Sequence, residues 1–110
     1  MTIKDVVDKL ELVVDSGEGL LEKCVEGCYI GDLLSLARST GEKDNIWITI
    51  QTNVNIAAVA SLTEAACVIL PDGCVPDEGT LKKAQMQDIV ILGSTLSAYA
   101  LAKKLAGMGV

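Results

Sequence analysis

The chain has 110 residues, with 15 Asp+Glu against 9 Lys+Arg, no His and a formal net charge of -6. That length suits one domain on one core, residues 1–110. The acidic balance argues against nucleic acid or an anionic membrane as partner, because both reward clustered Lys and Arg.

Thr2 can cap a helix running through Leu10, with Val6, Val7 and Leu10 on one face. "LELVV", residues 10–14, reads as a strand, and Ser16-Gly17-Glu18-Gly19 as a turn. "LLEKCV", residues 20–25, reads as a second strand. After Gly27 and Gly31, Asp32 is placed to cap a helix whose apolar face is Leu33, Leu34, Leu36 and Ala37, ending near Gly41.

From there the pattern is regular. Strand "NIWITI" leads to a helix over 54–64. Strand "ACVIL", residues 66–70, leads through Pro71-Asp72-Gly73 to a helix starting near Asp77 and Glu78. Strand "DIVIL", residues 88–92, leads through Gly93-Ser94-Thr95 to a helix over 96–106, closed by Gly107. These three strands are continuous apolar runs, as in strands covered by helices on both faces. Strand–helix alternation implies right-handed crossovers and a parallel sheet. The expected fold is three-layer α/β/α, with a largely parallel sheet of about five strands and the N-terminal pair at an edge.

The composition is apolar but almost without rings. Hydrophobic residues make up 50%, mean hydropathy is +0.42, aromatics are 3% and Phe is absent. So much aliphatic surface is hard to hide in a small domain, so a leftover patch favouring self-association is expected. No apolar run reaches the about 20 residues that span a bilayer. Met1-Thr2-Ile3-Lys4-Asp5 lacks an export-signal pattern, so a soluble, cytoplasmic protein is expected. The doublets Lys82-Lys83 and Lys103-Lys104 read as solvated helix faces.

Three parallel strands put their C-terminal ends along one edge, where open α/β sheets bind ligands, particularly where strand order reverses. That edge collects Thr52, Asn53, Asn55, Gly73, Gly93, Ser94 and Thr95, the candidate ligand-binding residues, with Gln51 and Asp72 beside them. Two helix N-termini point there with unpaired N–H groups, and no Lys or Arg is evident nearby, which suits a neutral or modestly anionic small molecule. Asn53 and Ser94 or Thr95 are also ordinary helix N-caps, which explains them without any ligand. Catalysis fits poorly. There is no His to shuttle protons near neutral pH, no phosphate-binding glycine loop, and the one carboxylate, Asp72, sits in a Pro-Asp-Gly turn.

Cys24 and Cys28 are four apart, Cys67 and Cys74 seven apart. C-x-x-x-C is not the spacing of zinc ribbons or redox dithiols, and no His completes a mixed site. Reduced, metal-free thiols are expected, with Cys67 a small buried hydrophobe. A soft-metal or iron–sulfur site shared across a dimer is the alternative.

Over roughly residues 10–106 the chain resembles a DRTGG domain. The shared features are Gly31-Asp32-Leu33-Leu34-Ser35, the strand-to-helix "TNVNIAAVA", the glycine turn after "VIL" and the closing "STLSAYALA". The resemblance implies an α/β fold akin to the N-terminal domain of HPr kinase/phosphorylase. It also implies a regulatory, dimer-forming role without catalytic residues or cofactors. Such domains accompany phosphotransacetylases, and CBS domains in regulatory pyrophosphatases. The name-giving motif is altered: Gln51-Thr52-Asn53 stands where an Asp-Arg-type pair belongs, and Pro71-Asp72-Gly73 where Thr-Gly-Gly does. Losing the Arg removes the best phosphate grip. Kinase chemistry would need the missing phosphate loop.

These readings converge on a non-catalytic regulatory or protein-interaction module. It acts as a homodimer and senses a small ligand at the sheet edge, with a metabolic enzyme as a further candidate partner. The alternatives are a purely structural dimerisation or recruitment domain, and a cysteine-based metal or redox protein.

Overall fold

The computed structural model describes residues 1–110. The elements are α1 (Ile3–Leu10), β1 (Val13–Ser16), a 3-10 turn (Glu18–Leu20), β2 (Gly27–Ile30), α2 (Leu34–Thr40), β3 (Asn45–Ile48), α3 (Asn55–Leu62), β4 (Cys67–Leu70), α4 (Glu78–Met86), β5 (Ile91–Gly93) and α5 (Ala98–Gly107). Five strands form one mixed sheet in the order β1-β5-β4-β3-β2. β2 to β5 are parallel neighbours, and β1 runs antiparallel to β5. The α/β architecture with a mostly parallel five-stranded sheet is thus as the sequence implied.

Alternate residues of each central strand feed opposite faces, as the pleat requires. Ile46, Ile48, Cys67, Ile69 and Leu92 pack with Ile3, Val6 and Leu10 of α1 and with Leu101 and Leu105 of α5. Trp47, Val68, Leu70 and Ile91 pack with Ala37 of α2, Ile56 and Ala60 of α3, and Ala84 of α4. All four residues of β4 are buried, which is why its sequence is an unbroken apolar run. The three crossover helices α2, α3 and α4 lie on one face, and α1 and α5 cover the other. The parallel strands follow one another as β5-β4-β3-β2, so strand order does not reverse among them.

The N-terminal region departs most from expectation. Thr2 does cap α1, in a reciprocal box with Asp5: Thr2 Oγ1 accepts from Asp5 N at 3.2 Å, and Thr2 N donates to Asp5 Oδ2 at 2.9 Å. But α1 keeps Leu10, and Glu11 closes it in the left-handed region at φ 54, so β1 begins only at Val13. The strand expected over 20–25 is not part of the sheet. Its backbone is taken by the N-terminus instead: Ile3 N donates to Lys23 O, Lys4 N to Leu21 O and Val25 N to Met1 O, all within 2.9 Å. The second strand lies later, at Gly27–Ile30, beside β3. The first two strands do occupy sheet edges, but opposite ones.

Candidate functional site

The C-terminal ends of the parallel strands divide into two structures. The first is a hydrogen-bonded corner at the end of β3. Asp32 is not the N-cap of α2; Leu33 takes that position without a side-chain bond. The Asp32 carboxylate instead accepts from Thr49 Oγ1 and from Ile50 N, both at 2.9 Å. Gln51 Nε2 donates to Asp32 O at 2.9 Å, and its Oε1 accepts from Asn53 Nδ2 at 2.9 Å. Asn53 Oδ1 accepts from Asn55 N at 2.9 Å, closing a local turn just ahead of α3, where Val54 holds the cap position. Thr52 serves through its carbonyl, which accepts from Asp77 N at 3.1 Å and Thr80 Oγ1 at 2.8 Å. The polar atoms of this corner are largely occupied by one another.

The second structure is a cleft of about 390 Å3 beyond the ends of β4 and β5, against the start of β1. It is lined by Gly73, Gly93, Ser94 and Thr95 together with Lys9, Glu11, Asp15, Cys74 and Lys104, and by apolar Leu10, Val13, Val75 and Leu96. Thr52, Asn53 and Asn55 stand outside it, so the seven candidate residues fall four to the cleft and three to the corner. Backbone bonds fix its walls. Gly73 N donates to Ser94 O at 2.8 Å, Asp72 N to Leu96 O at 2.9 Å, and Ser94 N to Leu70 O at 3.0 Å. The Pro71-Asp72-Gly73-Cys74 turn is closed by Cys74 N on Pro71 O at 3.0 Å. Asp72 and Gly73 are both left-handed there, at φ 58 and 73. Neither Ser94 nor Thr95 caps α5. Ser97 does, accepting from Ala100 N at 3.1 Å, while Ser94 Oγ accepts from Leu96 N at 3.0 Å.

Four charged residues of the cleft could not be anticipated as neighbours. Lys9 closes α1 and Lys104 belongs to the last turn of α5, so the edge is not free of cations after all. Asp15 sits at an irregularity of β1, where the register slips between Val14 and Ser16. Such a bulge re-aims a side chain, and Asp15 comes to lie over Gly93, where a Cβ would be 3.2 Å from Asp15 Oδ2. Desolvation by burial raises the Asp15 carboxyl above the ordinary aspartate value. The protein's one ion pair, Lys4–Asp8 at 3.3 Å, lies elsewhere.

The thiols are dispersed. Cys24 and Cys28 are exposed, Cys74 half-buried and Cys67 buried. Cys28 and Cys67 lie on strands separated by β3, both in register with Ile46. Burial raises the Cys67 thiol far above its usual range, and desolvation pushes Cys28 up to about 11. Cys28 is therefore open to reagent as a residue while its sulfur resists ionisation. No three His, Cys, Asp or Glu side chains gather as a metal site would need, and no helix is long and apolar enough to cross a membrane.

No family model matches the chain, and no curated protein matches it. A solved structure is similar: the CBS and DRTGG domains of the regulatory region of Clostridium perfringens pyrophosphatase, complexed with the activator diadenosine tetraphosphate. The match has a TM-score of 0.72 at 12% identity over 94% of this chain. The fold is DRTGG-like. This chain spans 45% of that structure's chain. At such identity the likeness speaks for fold alone, and the fold is of the kind that the resemblance implied.

Proposed function

We propose that residues 1–110 form a single DRTGG-like regulatory module without catalytic activity, which acts as a homodimer and senses a small ligand in the β4–β5–β1 cleft. The observation that carries this reading is the cleft itself: a cavity of about 390 Å3 with apolar walls and four convergent charged groups, Lys9, Glu11, Asp15 and Lys104, that form no ion pair within the protein. The similar structure belongs to a regulatory region holding a nucleotide activator, which supports a regulatory role in kind.

The homodimer rests on a different feature. Ile30, Leu33, Leu36, Ile50 and Val54 are each 46–65% exposed and cluster where β2 and β3 end. Large aliphatic groups gathered on one corner favour a partner surface. Light scattering at micromolar concentration should give twice the 11.5 kDa chain mass, and Leu33→Glu with Ile50→Glu should return the monomer. Wild type running at 11.5 kDa would overturn the dimer.

The second reading, a structural dimerisation or recruitment domain for a partner enzyme, draws on the same apolar corner and needs no cleft. Thermal-shift screening of nucleotides, phosphorylated metabolites and amino acids separates the two, because a ligand bound only by the native state raises stability by mass action. If none of them stabilises the protein, the recruitment reading takes over.

A further inference from the structure

The lining of the cleft specifies more than its presence. Its charges are balanced, Lys9 and Lys104 against Glu11 and Asp15, and none of the four makes an ion pair or a side-chain hydrogen bond within the protein. Lys9, Glu11 and Lys104 are exposed and Asp15 is half-buried, so all four are free to meet a bound molecule. Balance also sets the ligand's character. A bare polyanion would meet Glu11 and Asp15 together with the two lysines, and a bare cation would meet the reverse. A molecule carrying both an anion and an N–H donor satisfies both signs at once. Asp15 stands at the floor, beside glycine at position 93, and an ionised carboxylate there can only accept. The exposed Thr95 also lines the cleft, and its hydroxyl adds a neutral donor. Leu10, Val13, Val75 and Leu96 supply apolar wall for the body of such a molecule.

Building on the reading of this cleft as a ligand site, we propose that it takes an amphoteric metabolite. Its amino or amidine-type N–H group is held by Asp15, and its carboxylate or phosphate by Lys9 and Lys104. Apolar α-amino acids and amino-bearing nucleoside monophosphates are the two sources of that chemistry.

Cys74 lines the same cleft and is half-buried, so its modification reports occupancy directly. The experiment follows Cys74 alkylation by mass spectrometry, with exposed Cys24 as internal control. The probes are leucine, methionine, adenosine monophosphate, cytidine monophosphate, inorganic phosphate and adenosine triphosphate. At ten times its dissociation constant, a fitting ligand should slow Cys74 labelling about tenfold and leave Cys24 unchanged. Amino acids or the two monophosphates should protect, whichever is the source. Asp15→Asn should abolish that protection, and Lys9→Gln with Lys104→Gln should too. Asp15→Asn retains the fold, since it removes a desolvated charge, and its circular dichroism checks this. Protection by inorganic phosphate or the triphosphate alone would overturn the amphoteric assignment and leave the cleft a ligand site. Protection that survives Asp15→Asn unchanged would overturn it as well. Failure of every probe would remove both the assignment and the ligand-sensing reading.

Discussion

Asp32 carries the join between α2 and the end of β3, and its removal gives the most quantitative test of the corner. Thr49 is 1% exposed, and its hydroxyl finds its acceptor in the Asp32 carboxylate. Hydrogen bonds to charged acceptors contribute about 1.5–3 kcal/mol, and a buried donor left without a partner costs about 1–3 kcal/mol. Asp32 is itself exposed and Ile50 is 53% exposed, so the freed Ile50 N–H can turn to water and adds little. Asp32→Ala should therefore cost about 1–2 kcal/mol. For a domain of this size that lowers Tm by about 4–8 °C per kcal/mol. Asp32→Asn, which keeps an acceptor oxygen, should lose roughly half as much. Urea unfolding of wild type, Asp32→Ala, Thr49→Val and the double variant then forms a cycle. Thr49→Val removes the donor, so the double variant should recover about 1 kcal/mol of the summed losses. Losses that add to within about 0.3 kcal/mol would show that the two side chains do not depend on each other, and the account of the corner would fail.

Five further outcomes are expected. Thr2→Ala removes the hydroxyl that accepts from Asp5 N, while Thr2 N can still donate to Asp5, and should cost about 1 kcal/mol in urea unfolding. Asp5 is held below the ordinary 3.8 by Thr2, so its contribution should be present above pH 3.8 and fade as pH falls through its lowered value. Asp15 has the opposite sign: its folded pKa is raised, so its ionisation costs stability as pH rises above 3.8. Asp15→Asn should match or exceed wild type at pH 7, with the gap closing below pH 3.8 in pH-resolved unfolding. Alkylation should modify Cys24 first, Cys28 later because little of it is thiolate, and Cys67 last, as peptide mass mapping would show. Gly73→Ala keeps a left-handed residue without glycine and should cost about 1 kcal/mol by thermal melt.

The strands and helices after residue 45 were legible because burial on both faces writes itself as unbroken apolar runs, and Gly or Pro punctuates their ends. Their boundaries shift by only a residue or a few. The N-terminal third was not, for one reason. Leu20, Leu21 and Val25 are apolar because they pack with the α1–α5 layer, and burial alone does not distinguish a sheet strand from a segment bonded to a helix N-terminus. Capping residues misled in a similar way: Asp32 and Ser94 have the right chemistry, but each found a nearer partner in tertiary structure or in its own turn. The cleft was half legible. Gly73, Gly93, Ser94 and Thr95 follow from the parallel strands, whereas Lys9, Asp15 and Lys104 enter only through the antiparallel placement of β1 beside β5.

That placement also sets an order of assembly. β2 to β5 join neighbours in sequence, each through a short βα unit, while β1 must wait for a partner near the opposite end of the chain. Closing so long a loop carries an entropy that grows with its length, and non-local pairings of this kind slow folding. The cleft does not exist until this last strand has docked, because its floor and one wall come from residues 9–15. Any molecule held there therefore ties the first and last segments of the chain together, so occupancy should slow the release of β1 more than the opening of any other strand.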